Sequence, residues 1–180
     1  MNKQTMASTV LEGHLKALES DDGLLRQSAR EALVTMGGRA VAPLARALEN
    51  ATSKQVRWEA AKALGAMGQP KAIPALIAAL EDGDSDVAWL AAEALSALGK
   101  KAWPALLKAL VVEGTESVIL RKGAHHVFAG QPESRGNGVL AALQTALEAN
   151  GLPAAAPMAA SELLALLGAR KAPAAPLLTV

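Results

Sequence analysis

The chain has 180 residues, of which 51% are hydrophobic, and carries a formal net charge of +1 at pH 7. It contains no cysteine, which excludes disulfides, thiolate zinc sites and thiol catalysis. The charge is far from the basic excess of most nucleic-acid-binding proteins, and no apolar run resembles a signal peptide or a membrane-spanning helix. We therefore expect a soluble, cytoplasmic protein of one domain that binds neither nucleic acid nor membrane.

Two helical patterns alternate along the chain. The shorter pattern has apolar residues at i, i+3 and i+7, the spacing of one helix face. It starts at Leu11, Val41, Ile73, Trp103 and Leu140, and is degenerate in its first copy. The longer pattern has an apolar residue, an alanine four residues on, a leucine or phenylalanine eight on, and a closing glycine. It starts at Leu25, Val56, Val87, Leu120 and Ala156.

Each repeat is therefore predicted to be two antiparallel helices, A and then B. The five repeats cover residues 8–37, 38–68, 69–99, 100–130 and 131–169, flanked by an N-terminal tail (1–7) and an irregular C-terminal tail (170–180). Prolines at 43, 74 and 104 are predicted in the first turn of helix A, where a missing N–H costs little. Glycines at 37, 68 and 99 are predicted to end helix B.

The repeats "VRWEAAKALGAMG" (56–68) and "VAWLAAEALSALG" (87–99), each preceded by a helix with the LxxAL pattern, resemble HEAT repeats. They are most similar to the short HEAT-like repeats also seen in phycobilin lyase subunits. The resemblance covers about residues 8–169 and implies an all-α, right-handed α-solenoid. No helix pair can bury its apolar face alone, so stacked neighbours must supply the core.

In this family, the side of the B helices that faces away from the core lines the concave surface. In the second repeat Trp58, Glu59 and Lys62 lie off the core stripe. The equivalent positions of the other repeats extend these residues into rows along the concave surface. The first row is Gln27, Trp58, Trp89, Lys122 and Met158. A second row is Glu31, Lys62, Glu93, His126 and Glu162, and a third is Thr35, Ala66, Ala97, Gly130 and Leu166. Trp103 replaces an aliphatic core residue of helix A and is predicted to be buried.

The equivalent tryptophans Trp58 and Trp89 allow two interpretations. As exposed side chains they would be interface anchors, because an indole buries much area at low entropic cost. Alternatively, they pack on neighbouring helices or on the alkyl stem of Lys62 and simply widen the core. The second row alternates in charge, which predicts a ladder of weak ion pairs along stacked helices.

Two further patterns resemble metal sites without fitting one. Residues 82–86 with Glu93 have the acidic spacing of an EF-hand loop, but Val87 stands where that loop needs glycine, and helix B must begin there. The adjacent His125 and His126 point about 100° apart on a helix, so the two side chains are poorly placed to bind the same metal ion. The sequence shows no catalytic triad and no glycine-rich phosphate loop, so we expect neither a metal nor a cofactor.

The leading hypothesis is a non-enzymatic scaffold that binds a protein or peptide on its concave face. The candidate binding residues are Trp58, Trp89, Leu90, Lys62, Glu93, Gln27, Glu31, Lys122 and His126. Two alternatives stay open. One is a HEAT-like enzyme or enzyme subunit, of the bilin lyase type or the alkylpurine DNA glycosylase type, since the latter places an acid one turn after a concave tryptophan, as Trp89 and Glu93 do. The other is self-association through the apolar side chains of the fifth repeat, namely Met158, Leu163, Leu166 and Leu167.

Overall fold

The computed structural model describes residues 3–129, 131, 138–148 and 152–169, and all regular structure in these ranges is helical. The helices are α1 (Lys3–Ala17), α2 (Gly23–Thr35), α3 (Gly38–Asn50), α4 (Lys54–Met67), α5 (Ile73–Ala78), α6 (Ser85–Leu98), α7 (Trp103–Glu113), α8 (Val118–Ala129), α9 (Gly138–Leu147) and α10 (Ala155–Ala169). Short 3-10 turns lie at Pro70–Ala72, Ala79–Glu81 and Gly99–Lys101. Consecutive helices form pairs, so the predicted all-α solenoid is confirmed.

The structure differs from the prediction at the N-terminal tail and does not describe the C-terminal tail. Helix α1 begins at Lys3 and therefore includes most of the segment predicted as an N-terminal tail. The predicted C-terminal tail (170–180), residues 132–137 of the fifth repeat and Gly130 of the third row lie outside the described residues.

The ends of the B helices follow from local chemistry. Asp22 caps α2 with its Oδ1, and Asp84 caps α6 in the same way, each accepting hydrogen bonds from two first-turn amides. Gly37, Gly68 and Gly99 have φ values of 62°, 57° and 54°. Residues with a Cβ disfavour this left-handed region, so glycine ends these helices as predicted.

The prediction for the A helices is confirmed at two prolines and wrong at the third. Pro74 and Pro104 lie in the first turns of α5 and α7. Helix α3, by contrast, starts at Gly38 and holds Pro43 in its interior. The cause is that the residues after Gly37 are already α-helical, whereas α5 and α7 are preceded by a separate 3-10 turn.

The helices form two layers with the core between them. α1, α3, α5 and α7 stack on one side, and α2, α4, α6 and α8 on the other. Small residues bring neighbours close: a Cβ on Gly65 of α4 would lie 3.2 Å from the Cβ of Ala94 on α6. Trp103 is buried, as predicted, with its ring edge-on to Phe128 at a centroid distance of 5.6 Å.

The last pair enters these layers in reverse order. α9 packs against α8, and α10 packs against α7. The positions assigned to Met158, Glu162 and Leu166 in the rows of the B helices are therefore wrong, because α10 belongs to the layer of the A helices. Both helices of a pair have an apolar face of the same period, so the sequence pattern does not reveal which layer each one joins.

Candidate binding surface

An arginine near the start of three B helices ties each helix to the turn before it. These residues are Arg26, Arg57 and Arg121, and the Nη1 of each donates to two main-chain oxygens at 2.6–3.1 Å. The acceptors are residues 20 and 21, 51 and 52, and 114 and 115. The equivalent position in α6 is Ala88, so this helix has no such tie.

Arg57 also reaches the next repeat. Its Nε and Nη2 bind the two carboxylate oxygens of Asp82 at 2.7 and 3.0 Å, and both side chains are largely buried. Burial alone would raise the pKa of Asp82, but the hydrogen bonds from Arg57 and from the Asp84 amide outweigh it, and the pKa lies below its ordinary value. The hydrogen bond to Asp82 in turn raises the pKa of Arg57.

A buried carboxylate lies between α2 and α4. Glu59 is 3% exposed. Its Oε2 lies 2.5 Å from Nη1 of Arg30, and its Oε1 lies 3.4 Å from Nε of Arg26 and accepts a hydrogen bond from Gln55 at 3.3 Å. The outward position predicted for Glu59 is wrong. The two guanidinium groups come from the preceding repeat and compensate the charge, so the carboxylate can be buried.

Trp58 lies beside this cluster and is half-buried against the core. The Nζ of Lys62 lies 4.5 Å from the indole centroid, a cation–π contact. The two side chains border a groove of about 380 Å³, named here the α2–α4 groove. Its lining is polar and consists of Gly23, Arg26, Gln27, Arg30, Lys54, Gln55, Trp58, Glu59, Lys62, Asp84 and Asp86.

Trp89 has different surroundings, although it occupies the equivalent position of the next repeat. It is 55% exposed, and its ring centroid lies 6.4 Å from that of His126. The Nε2 of His126 lies 2.5 Å from Oε1 of Glu93. Trp89 borders a largely apolar groove of about 390 Å³, named here the α6–α8 groove. Its lining is Leu80, Asp82, Gly83, Ser85, Ala88, Trp89, Ala92, Ile119, Lys122, Gly123 and His126.

The apolar surface continues past Ile119 into a neighbouring depression. Its lining is Glu81, Val112, Glu113, Glu116, Ser117, Val118 and Ile119. Val112, Val118 and Ile119 are all more than half exposed. Carboxylates therefore border an exposed aliphatic patch at the A-to-B turn of the fourth repeat.

The predicted binding residues divide between the two grooves. Gln27, Trp58 and Lys62 line the α2–α4 groove, whereas Trp89, Lys122 and His126 line the α6–α8 groove. Leu90 is half-buried, packs on the core and lines neither groove. The side chains that we expected to form two continuous rows thus belong to two grooves of different chemistry.

The predicted ladder of charged side chains has a contact at one step of the described helices. Glu93 contacts His126, as the alternation predicts. Lys62 instead lies over Trp58, and Glu31 accepts a hydrogen bond from Gln27 at 2.9 Å. The long side chains find partners within their own helix, because residues four apart are already neighbours there.

The other candidate sites have structural roles. Asp82 binds Arg57, and Asp84 caps α6, so the acidic run is used within the fold. Over the described ranges, no three His, Asp or Glu side chains lie close enough to hold a metal ion. The helices in those ranges also lack the length and apolar character needed to cross a bilayer.

The apolar set proposed for self-association is smaller than predicted. Leu163 is buried and Leu167 is half-buried, whereas Met158 and Leu166 are exposed on α10. Two of the four predicted side chains are therefore accessible to a second copy of the chain.

Residues 41–125, from α3 into α8, match the family model for HEAT repeats. This part of the chain carries HEAT repeats. HEAT repeats generally form scaffolds for protein interactions and are usually not enzymes. The match concerns HEAT repeats in general and does not extend to phycobilin lyases. Comparison with curated proteins gives no match.

Proposed function

We propose that this HEAT-repeat protein is a non-enzymatic scaffold that binds a protein or peptide on its B helices, with Trp89 as the central anchor. The observation that carries the proposal is an indole 55% exposed at the border of an apolar groove of about 390 Å³. Tryptophan is among the residues that contribute most to binding when a partner covers it. The exposed aliphatic side chains beyond Ile119 extend the area that a partner can bury.

Trp58 has a secondary role in this proposal. Its indole is half-buried and Lys62 already covers its face. A partner would therefore bury less additional apolar surface at Trp58 than at Trp89. Together with Gln27 it offers polar contacts to a partner that extends from the α6–α8 groove towards the N-terminal repeats. Leu90 contributes by holding α6 against the core.

The glycosylase-type alternative gains little support from the same geometry. Glu93 has the required spacing from Trp89, but its carboxylate contacts His126. Among the described residues that line the α6–α8 groove, Lys122 is the one lysine. A DNA-binding groove needs several cations to neutralise phosphates.

Selection of displayed random peptides on the purified chain tests the proposal. Peptides selected on the wild type should bind Trp89→Ala at least about 10-fold more weakly, the loss typical of an interface anchor. Trp58→Ala is the matched control, because it removes the same side chain at the equivalent position. We expect less than about 3-fold weakening there, a small loss for a rim contact.

Melting temperatures of both variants separate binding from folding. Trp89→Ala should melt close to the wild type, so its loss of binding would report the lost contact. The proposal is wrong if no peptide is selected, or if Trp89→Ala binds the selected peptides as well as the wild type does.

A further inference from the structure

The α6–α8 groove lies where other repeats hold an arginine. Arg26 and Arg57 donate to the main-chain oxygens six and five residues before them. At the same spacing from Ala88 the oxygens belong to Asp82 and Gly83, and both residues line the groove. Among the described residues, no group donates a hydrogen bond to either oxygen.

The walls of the groove suit the rest of an arginine side chain. Ala88, Ala92 and Ile119 offer apolar surface to a methylene stem. The exposed face of Trp89 can receive a guanidinium by stacking and cation–π attraction. Gly123 keeps the α8 side open, and it lies so close to Leu80 that a Cβ would meet Leu80 Cδ2 at 3.0 Å.

Carboxylates near the groove attract a cation, although Lys122 also lines the groove. Arg57 connects the oxygens of its own turn to Asp82 in the turn of the next repeat. For a guanidinium in the α6–α8 groove, the corresponding next turn carries Glu113 and Glu116, which border the adjoining depression with Glu81. Of the basic groups that line the groove, His126 already contacts Glu93.

We infer that the α6–α8 groove is a socket for an arginine side chain of the bound partner, whose guanidinium takes the place that the helix arginine has in other repeats. The inference rests on the proposed function and adds the partner's chemistry to it. An arginine-containing peptide donates to the main-chain oxygens of Asp82 and Gly83 and packs its stem beside Trp89.

Filling the socket from within is the first test. Ala88→Arg supplies the guanidinium from the chain itself. It should therefore raise the melting temperature and weaken binding of the selected peptides at least about 10-fold. Ala97→Arg is the matched control, because Ala97 is exposed on the same helix and lies outside the groove. It should leave the melting temperature unchanged and binding within about 2-fold of the wild type.

Changing one atom of the peptide is the second test. Replacing the arginine of a selected peptide by citrulline keeps the shape and removes the charge and two donor hydrogens. On the wild type, the citrulline peptide should bind at least about 10-fold more weakly than the arginine peptide. On Ala88→Arg, the two peptides should bind with similar affinity. Equal binding of the arginine and citrulline peptides would overturn the inference.

The outcomes separate the two proposals. Selected peptides that lack arginine but require both Trp89 and an unfilled Ala88 position would overturn the socket and leave the scaffold proposal standing. Peptides that bind Ala88→Arg as well as the wild type would also overturn the socket. Failure to select any peptide would overturn both proposals, as would equal binding of the selected peptides to Trp89→Ala and to the wild type.

Discussion

The second and third repeats carry similar B helices with tryptophan at the same position, yet the two tryptophans have different surroundings. In α4, Trp58 is half-buried under Lys62, next to a carboxylate that two guanidinium groups hold in the interior. In α6, Trp89 is exposed beside an apolar groove. The backbone position is the same in both helices, so the difference comes from the neighbouring side chains.

Three of the substitutions between the two helices account for this difference. The residues of α4 are Arg57, Glu59 and Lys62, and their counterparts in α6 are Ala88, Leu90 and Glu93. The first exchange removes the side chain that occupies the turn, the second replaces a buried ion cluster by an aliphatic contact, and the third removes the cation above the indole. One repeat is thereby closed by its own polar contacts, and the surface of the other is left open to solvent.

The largest expected effect comes from removing the carboxylate that holds the second repeat closed. Glu59→Ala leaves the guanidinium groups of Arg26 and Arg30 without their common partner in a largely buried place. The free energy of unfolding should fall by about 3 kcal/mol, measured by urea denaturation. Glu31→Ala removes an exposed carboxylate and should cost less than about 1 kcal/mol. Similar losses for the two variants would contradict the buried cluster.

A smaller loss is expected when the second repeat is given the alanine of the third. Arg57→Ala removes four hydrogen bonds, two of them to the buried carboxylate of Asp82. We expect the free energy of unfolding to fall by about 2 kcal/mol. Lys54→Ala removes the neighbouring pair with Asp84, in which the lysine is exposed, and serves as a control with a smaller expected loss. A negligible effect of Arg57→Ala would mean that the arginine tie does not stabilise the repeat.

The two tryptophans should differ in their contribution to stability. Trp58→Ala removes a half-buried indole and should lower the free energy of unfolding by about 1.5 kcal/mol, below the loss for a fully buried one. Trp89→Ala removes a mainly solvated indole and should cost about 0.5 kcal/mol. Equal costs by thermal or urea unfolding would remove the distinction between the repeats.

The smallest expected effect is a dependence of the free energy of unfolding on pH. The pKa of Asp82 is lowered in the folded state, so its contribution is complete above its unfolded-state pKa near 4 and is lost as the pH falls through the folded-state pKa. The stability difference between the wild type and Asp82→Asn should therefore narrow below about pH 4. A difference that stays constant from pH 7 to pH 3 would show that the carboxylate does not act through its charge.

Much of the fold follows from the sequence, because its causes are local. The i, i+3, i+7 spacing of Leu44 and Leu48 with Val41 defines a buried face, and Gly68 ends its helix through its own backbone conformation. The buried state of Trp103 also follows, since it occupies a core position of the repeat.

The missed features depend on groups that are distant in the sequence. Glu59 is buried because Arg30, 29 residues earlier, reaches it from another helix. No periodicity within α4 records that contact. A usable signal was nevertheless present in the chain: arginine recurs at 26, 57 and 121 and is replaced at 88, which marks the repeat whose surface is open.

The central claim is that two equivalent tryptophans differ in access to solvent. The indole N–H signals of the ¹⁵N-labelled wild type can be recorded with a soluble paramagnetic agent and assigned with Trp58→Phe and Trp89→Phe. We expect the strongest relaxation enhancement at Trp89, an intermediate one at Trp58 and the weakest at Trp103. Equal enhancement at Trp58 and Trp89 would contradict the account.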